Sequence, residues 1–444
     1  MSTARHLEAR EAEFAVLGAI LLDNGALDLV AEFLVAGDFF DGRNQVVYRH
    51  MMRLAEDTQP IDTVTLATGL EQVGQLAVAG GLDHLHTLDQ ASASSVNATH
   101  YAHIVHDYGE VRRLVQACTE VVQKAQSGDY EDTDRLFDEA QQAIFEIGLR
   151  QRRGSFVPVS TALEGVLAKV QLAFERKETV TGTPTGFADL DRKTAGWQEG
   201  DLIILAARPA MGKTAFALNL AANAARDSKS TVALFSLEMP TNQLAARMLA
   251  CDARVDSERM RSGNLVDGDI DRLLVSVRRM NAMAIQIDDT PGATVMEIRS
   301  KCRRLASDRS LPPLGLVIID YLQLMKGKAT AQSREQEISD ISRNLKALAK
   351  ELNIPVIALS QLNRGVESRP NKRPMMSDLR ESGAIEQDAD IIMFVYRDEY
   401  YNEDTEEEGI TEIIIGKQRN GPTGTVKLRF FKEWSRFVNL QPDG

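Results

Sequence analysis

Ala207-Arg208-Pro209-Ala210-Met211-Gly212-Lys213-Thr214 follows the apolar run Leu202–Ala206 directly and leads straight into the helical run Ala215–Ala225. A loop of this kind between a strand and a helix cradles phosphates, because its backbone amides and the positive end of the helix both face the anion. Gly212 lets the chain come close, Lys213 reaches the β- and γ-phosphates, and the Thr214 hydroxyl can ligate Mg²⁺. Ala207 stands where the usual pattern has its first glycine, which is tolerable provided its φ stays negative.

Phosphoryl transfer also needs a carboxylate for the metal, and Asp320 ends the apolar run Leu316–Ile319, where such a group belongs. Ser236-Leu237-Glu238-Met239 puts Glu238 at the tip of the neighbouring strand, before Pro240, as the base that orients the attacking water. Gln361, after Pro355–Leu359, is suited to sense the γ-phosphate. Lys417 and Arg419, after Ile413–Ile415, are expected to reach a neighbouring subunit's nucleotide as cations in trans. Each of these alone also reads as an exposed strand-end residue; several strands ending in groups suited to one site favour function, since open α/β sheets bind ligands there.

Two basic clusters stand out. Arg299, Lys301, Arg303, Arg304 and Arg309 follow Thr294-x-x-Glu297, a capping-box pattern, and read as a solvated helix face. Arg364, Arg369, Lys372, Arg373 and Arg380 lie among Pro370, Pro374 and Gly383, with no aromatic residue between them. That composition predicts a mobile loop tracking a phosphate backbone without reading bases. Cys118, Cys251 and Cys302 are too few and scattered for a disulfide framework, and His100, His103 and His106 read as core and surface residues rather than a metal site.

The elements that must carry these groups fall into two classes. Ala12–Leu22, Val46–Leu54 and Val64–Leu70 repeat apolar residues at helical spacing, with turns at Asp23-Asn24-Gly25, Gly37-Asp38 and Gly80-Gly81. Longer amphipathic runs from Tyr101 to Lys124 and from Thr133 to Leu149 predict a helical hairpin. Residues 1–150 therefore read as an all-α domain and 151–180 as a linker with a docking helix. Residues 181–444, with apolar runs at Val232–Phe235, Ile285–Ile287, Ile391–Tyr396 and Val426–Phe430 as well, read as an α/β domain with a mainly parallel sheet and an antiparallel extension.

The net charge of −13 over 444 residues argues against a phosphate-rich partner until it is mapped along the chain. Residues 1–150 hold 10 Lys and Arg against 24 Asp and Glu, whereas the rest hold 41 against 40. An acidic front suits protein contacts; a neutral rear can carry local basic clusters. No run approaches the ~18 apolar residues of a spanning helix, and the amino terminus lacks an export signal, so no membrane partner and a cytoplasmic location are expected.

At the level of motifs the chain resembles the DnaB-type bacterial replicative DNA helicases. ARPAMGKT, SLEM, LVIIDYLQLM, SQLNRGVESR, DLRESGAIEQDAD and KQRNGPTGTV occur in the family's order, and EAEFAVLGAILLDN is similar to the family's amino-terminal domain. The resemblance implies a ring homo-hexamer of RecA-like domains. It would hydrolyse ATP with Mg²⁺ between subunits and move 5′ to 3′ on single-stranded DNA, opening the fork in the nucleoid. By this resemblance, Arg380, Glu381 and Gly383 touch the DNA backbone, Gln361 couples the γ-phosphate to the DNA loops, and Lys417 and Arg419 act across the interface. The front domain would form a collar that receives primase, and a helicase loader would be a further partner. Two other readings share some of these motifs: a RecA-related recombination or repair ATPase, and an ATP-gated scaffold.

Overall fold

The computed structural model describes residues 7–91, 94–128, 180–326, 333–379, 383–402 and 404–440, with scattered positions between 129 and 179. It divides into two units, Met1–Leu163 and Glu164–Gly444. Most of the linker 151–180 and of the second hairpin arm lies outside the described residues.

The front unit is helical: α1 (Arg10–Leu22), α2 (Gly25–Val30), α3 (Gly42–Glu56), α4 (Thr63–Gln72), α5 (Gly81–Gln90) and α6 (Ala98–Ser127). Asp41 starts α3 by accepting from the Arg43 amide, and Asp62 starts α4 by accepting from the amides of Val64 and Thr65. The apolar stripe read in Ala12–Leu22 buries Val16, Leu17 and Ile20 against Leu85, Leu88, Ala102 and Val105. One polar knot is folded in: Asn44 donates to Glu13 Oε2 at 2.8 Å and its Oδ1 meets His84 Nε2 at 2.9 Å. His103 stacks on Phe33 at 4.2 Å and His106 Nδ1 meets Asp38 at 3.0 Å, so both are held by packing partners.

The rear unit is a nine-stranded sheet in the order β3-β2-β4-β5-β1-β6-β7-β8-β9. Its strands are β1 (Leu202–Ala207), β2 (Thr231–Ser236), β3 (Ile285–Asp288), β4 (Leu314–Asp320), β5 (Val356–Gln361), β6 (Ile391–Tyr396), β7 (Ile410–Gln418), β8 (Gly424–Phe431) and β9 (Arg436–Asn439). Strands β1 to β6 pair in parallel, whereas β7, β8 and β9 are added antiparallel. Helices α7 (Ala188–Thr194), α8 (Lys213–Asp227), α9 (Thr241–Ala253), α10 (Ser257–Ser262), α11 (Asp269–Asn281), α12 (Val295–Ser307), α13 (Arg334–Leu352) and α14 (Gly383–Asp388) complete it. Phe216 and Leu220 of α8 pack on one face with Ile203 and Leu205, and Ile341 and Leu345 of α13 pack on the other with Leu202 and Ile204. Covering both faces is what lets the central strands be apolar throughout. No helix among the described residues is long and apolar enough to cross a membrane.

Asp201, just before β1, is nearly buried, and burial together with the charge of Asp390 pushes its carboxyl up to about 6. Because the folded value lies above the unfolded one, this group favours the folded state at low pH; that contribution fades between about pH 4 and 6 and is gone above. Asp201→Asn is therefore expected to raise the stability of the rear unit by about 2 kcal/mol at pH 8 and by well under half of that at pH 4.5. Thermal unfolding at the two pH values checks this; an equal effect at both would contradict it.

Candidate nucleotide site

At the carboxyl end of β1 the chain turns through Arg208–Gly212 and enters α8. Ala207 is the last residue of the strand and is absent from the positive-φ positions, so the missing first glycine costs nothing. Positive φ falls instead on Ala210 (65°) and Gly212 (92°). Gly212 also has the Phe437 and Phe430 rings against it, 3.3 and 3.7 Å from where a Cβ would sit. The loop is thus propped from behind by the antiparallel extension.

Asp320, at the end of β4, is 3% exposed and its Oδ2 accepts from Thr214 Oγ1 at 2.7 Å. Its Oδ1 is buried without a hydrogen-bond partner and lies 3.9 Å from Lys213 Nζ. A hydroxyl and a carboxylate with one oxygen unsatisfied among the described residues, beside a phosphate loop, form the sparse hard-oxygen set that Mg²⁺ takes when phosphates and water supply the rest. Burial pushes the Lys213 ammonium below its ordinary value, while Asp320 and Glu238 pull it back up. The Tyr321 ring lies 4.7 Å from Lys213 Nζ, and the Ser360 carbonyl accepts from it at 3.4 Å. A bound triphosphate would add negative charge beside this buried ammonium and favour its charged form.

Glu238 lines the same cleft. Its strand, β2, neighbours β4, with Ser236 in register with Asp320, and is separated from β1 by β4 and β5. Gln361 also lines the cleft, from β5 beside β1. The Lys213, Thr214, Asp320, Glu238 and Gln361 expected from the sequence are thereby brought to one edge.

Lys417 and Arg419 are not. β7 runs against β6, so Lys417 pairs with Ile392 and Gln418 with Ile391, at the start of β6. The carboxyl end of this strand therefore lies at the amino-terminal edge of the parallel sheet, which corrects the expectation that all the polar strand ends share one site. Burial and the neighbouring Arg419 hold Lys417 below its ordinary value.

Within the described part of the basic segment, residues 364–379, Arg369, Lys372 and Arg373 are tied down where mobility was expected. Arg373 forms a bidentate pair with Glu412 and lies over the Tyr396 ring at 5.0 Å, Arg369 pairs with Asp378, and Lys372 lies over the Tyr401 ring at 4.6 Å. Most of these partners come from segments distant in sequence, so local composition could not show them. Arg380 and Glu381 lie outside the described residues, and Gly383 opens α14. In the other basic cluster, Arg299 and Arg303 pair with Glu351 and Lys301 with Asp288, after the Thr294 capping box.

Sequence reasoning missed Arg397 and Phe430, which line the cleft with the guanidinium 4.7 Å over the ring. Arg397 also pairs with Glu399 and donates to the Ala210 carbonyl at 3.5 Å. The signal existed, because Arg397 follows the run Ile391–Tyr396 just as Asp320 follows its own. Gly212→Ala is expected to weaken nucleotide binding at least tenfold by forcing a side chain into positive φ against Phe437. Titration with a fluorescent nucleotide would show it, and unchanged affinity would contradict the strain argument.

The DnaB-like helicase C terminal domain family model matches residues 182–439, and the DnaB-like helicase N terminal domain model matches residues 5–107. The chain is 46% identical over 432 residues to a replicative DNA helicase DnaB of Geobacillus stearothermophilus, covering 97% of this chain and 94% of that one. It is 44% identical over 436 residues to that of Haemophilus influenzae, covering 97% and 93%. A solved structure of a DnaB-like replicative helicase, which also concerns its interactions with primase, aligns with a TM-score of 0.80 and 35% identity, over 98% of this chain and 100% of that one. A second solved structure, of an ATPase domain alone, aligns at 0.61 with 42% identity, over 65% of this chain and 100% of that one. The chain belongs to the DnaB-like replicative helicases, a family of ATP-dependent DNA helicases.

Proposed function

We propose that the chain works as a ring hexamer in which each ATP is bound by one subunit and its hydrolysis completed by the next. The observation that carries this reading is the split of its charged groups between opposite edges of one sheet. Lys213, Thr214 and Asp320 stand at the carboxyl edge, and Lys417 and Arg419 stand at the other. A cation at the far edge cannot serve its own nucleotide, yet it is suited to a nucleotide on an adjoining copy.

In this reading the loop amides and Lys213 hold the β- and γ-phosphates, and Thr214 with Asp320 holds Mg²⁺, which neutralises charge on the phosphates. Glu238 takes a proton from the attacking water and Gln361 lies against the γ-phosphate, while Arg397, packed over the Phe430 ring, braces the phosphate loop through the Ala210 carbonyl. Lys417 and Arg419 of the adjoining copy stabilise the charge of the transferring phosphoryl group. Arg380, Glu381 and Gly383 contact the backbone of single-stranded DNA, so each hydrolysis repositions a loop and draws the strand through 5′ to 3′. The acidic front unit suits protein partners: primase, with which the related solved helicase interacts, and a loader that opens the ring.

Strand displacement on a forked duplex tests the reading. The wild type is expected to separate strands only where a 5′ tail is present, and Lys213→Ala and Arg419→Ala to abolish separation. Pairing of homologous strands without displacement would favour a recombination ATPase, and turnover indifferent to single-stranded DNA would favour a scaffold. Glu238→Gln is expected to keep nucleotide affinity while lowering kcat by about 10²-fold or more, since it removes the base. Isothermal titration with single-turnover kinetics separates the two, and wild-type turnover would remove Glu238 from the mechanism.

A further inference from the structure

The carboxyl end of α14 is capped by the end of β7. Lys417 Nζ donates to the carbonyls of Glu386 at 2.5 Å and Ala389 at 2.7 Å, and Arg419 Nη2 donates to that of Gln387 at 2.6 Å. The last carbonyls of a helix have no partner within it, so cations there satisfy both the hydrogen bonds and the negative end of the dipole. The other arm of the guanidinium, Arg419 Nη1, lies 3.4 Å from Asp390 Oδ1.

Asp390 is only 5% exposed and is fixed from the sheet side. Its Oδ2 accepts from the Leu202 amide at 2.8 Å and pairs with Lys346 Nζ, which also donates to the Gly200 carbonyl at 2.8 Å. Its backbone is clamped too, with its amide on the Leu202 carbonyl and its carbonyl accepting from the Arg419 amide at 3.0 Å. A buried carboxylate held by β1 and α13 thus turns its second oxygen toward Arg419. The helix that Arg419 caps is six residues long and opens at Gly383, next to the segment assigned above to DNA contact.

We propose that Asp390 is a positioning residue: it sets the guanidinium of Arg419 for the neighbouring copy's nucleotide. The proposal rests on Arg419 acting in trans. An Arg419 that turns toward the neighbour's γ-phosphate gives up the Gln387 carbonyl, and Asp390 is the pivot that stays fixed while it turns.

A double-mutant cycle on the full-length protein tests this, with the DNA-stimulated and basal ATPase as readouts. Asp390→Asn keeps an acceptor for the Leu202 amide but removes the charge. It is expected to lower DNA-stimulated kcat about tenfold with KM for ATP within about twofold, as for a misaimed group. In an Arg419→Ala background the same change is expected to alter kcat less than about twofold, because the group it positions is gone. Full additivity would overturn the positioning role, whereas an Arg419→Ala protein with wild-type turnover would overturn the trans reading beneath it. If Asp390→Asn does not assemble, Asp390→Glu is run in the same cycle. It keeps the charge on Lys346 but displaces the carboxylate by a methylene, and the same non-additivity is expected.

Discussion

Because β7 runs against β6, the cations that follow it are delivered to the amino-terminal edge of the parallel strands, while the phosphate loop sits at the carboxyl edge. Strand direction is fixed by the hydrogen-bond ladder and the apolar packing of the whole sheet, so local flexibility cannot undo it. Any chemistry that needs both sets of groups must draw them from two copies of the chain. On the proposed in-trans reading, assembly is a condition of catalysis, and a change at one nucleotide is felt by the subunit next door, which is what a motor requires.

The two edges also differ in how they are held. At the carboxyl edge Ala210, held at positive φ, and Gly212 are supported by Arg397, Phe430 and Phe437, the two rings coming from the antiparallel extension, so the added strands also brace the loop of their own subunit. At the amino edge Asp390, Lys346 and the capped end of α14 form a polar cluster against the end of the sheet. At the first edge burial holds Lys213 below its ordinary value, and one Asp320 oxygen has no hydrogen-bond partner among the described residues, so a bound triphosphate with its metal would supply charge and a ligand to both.

Much of this was legible in the sequence, for identifiable reasons. The β1–loop–α8 unit, Asp320 and Glu238 were visible because strand, turn and helix are adjacent in the chain and the strands β1, β2 and β4 are apolar nearly to their ends. The helical stripes of α1, α3, α4 and α6 were likewise visible from periodicity. What stayed hidden depends on pairing between distant segments. The strand order that parts β2 from β1, the reversal that moves Lys417 and Arg419, and the clamping of Arg373 by Glu412 are decided by the sheet as a whole. The β9 strand is only Arg436–Asn439, too short to leave a periodic signal.

Turnover per protomer against state of assembly bears most directly on the divided site. Mass photometry and ATPase rate are measured on the same dilution series, in saturating nucleotide. The account expects the rate per protomer to collapse as hexamers give way to monomers, with nucleotide still bound. Isolated monomers hydrolysing ATP at the full rate of the ring would contradict it.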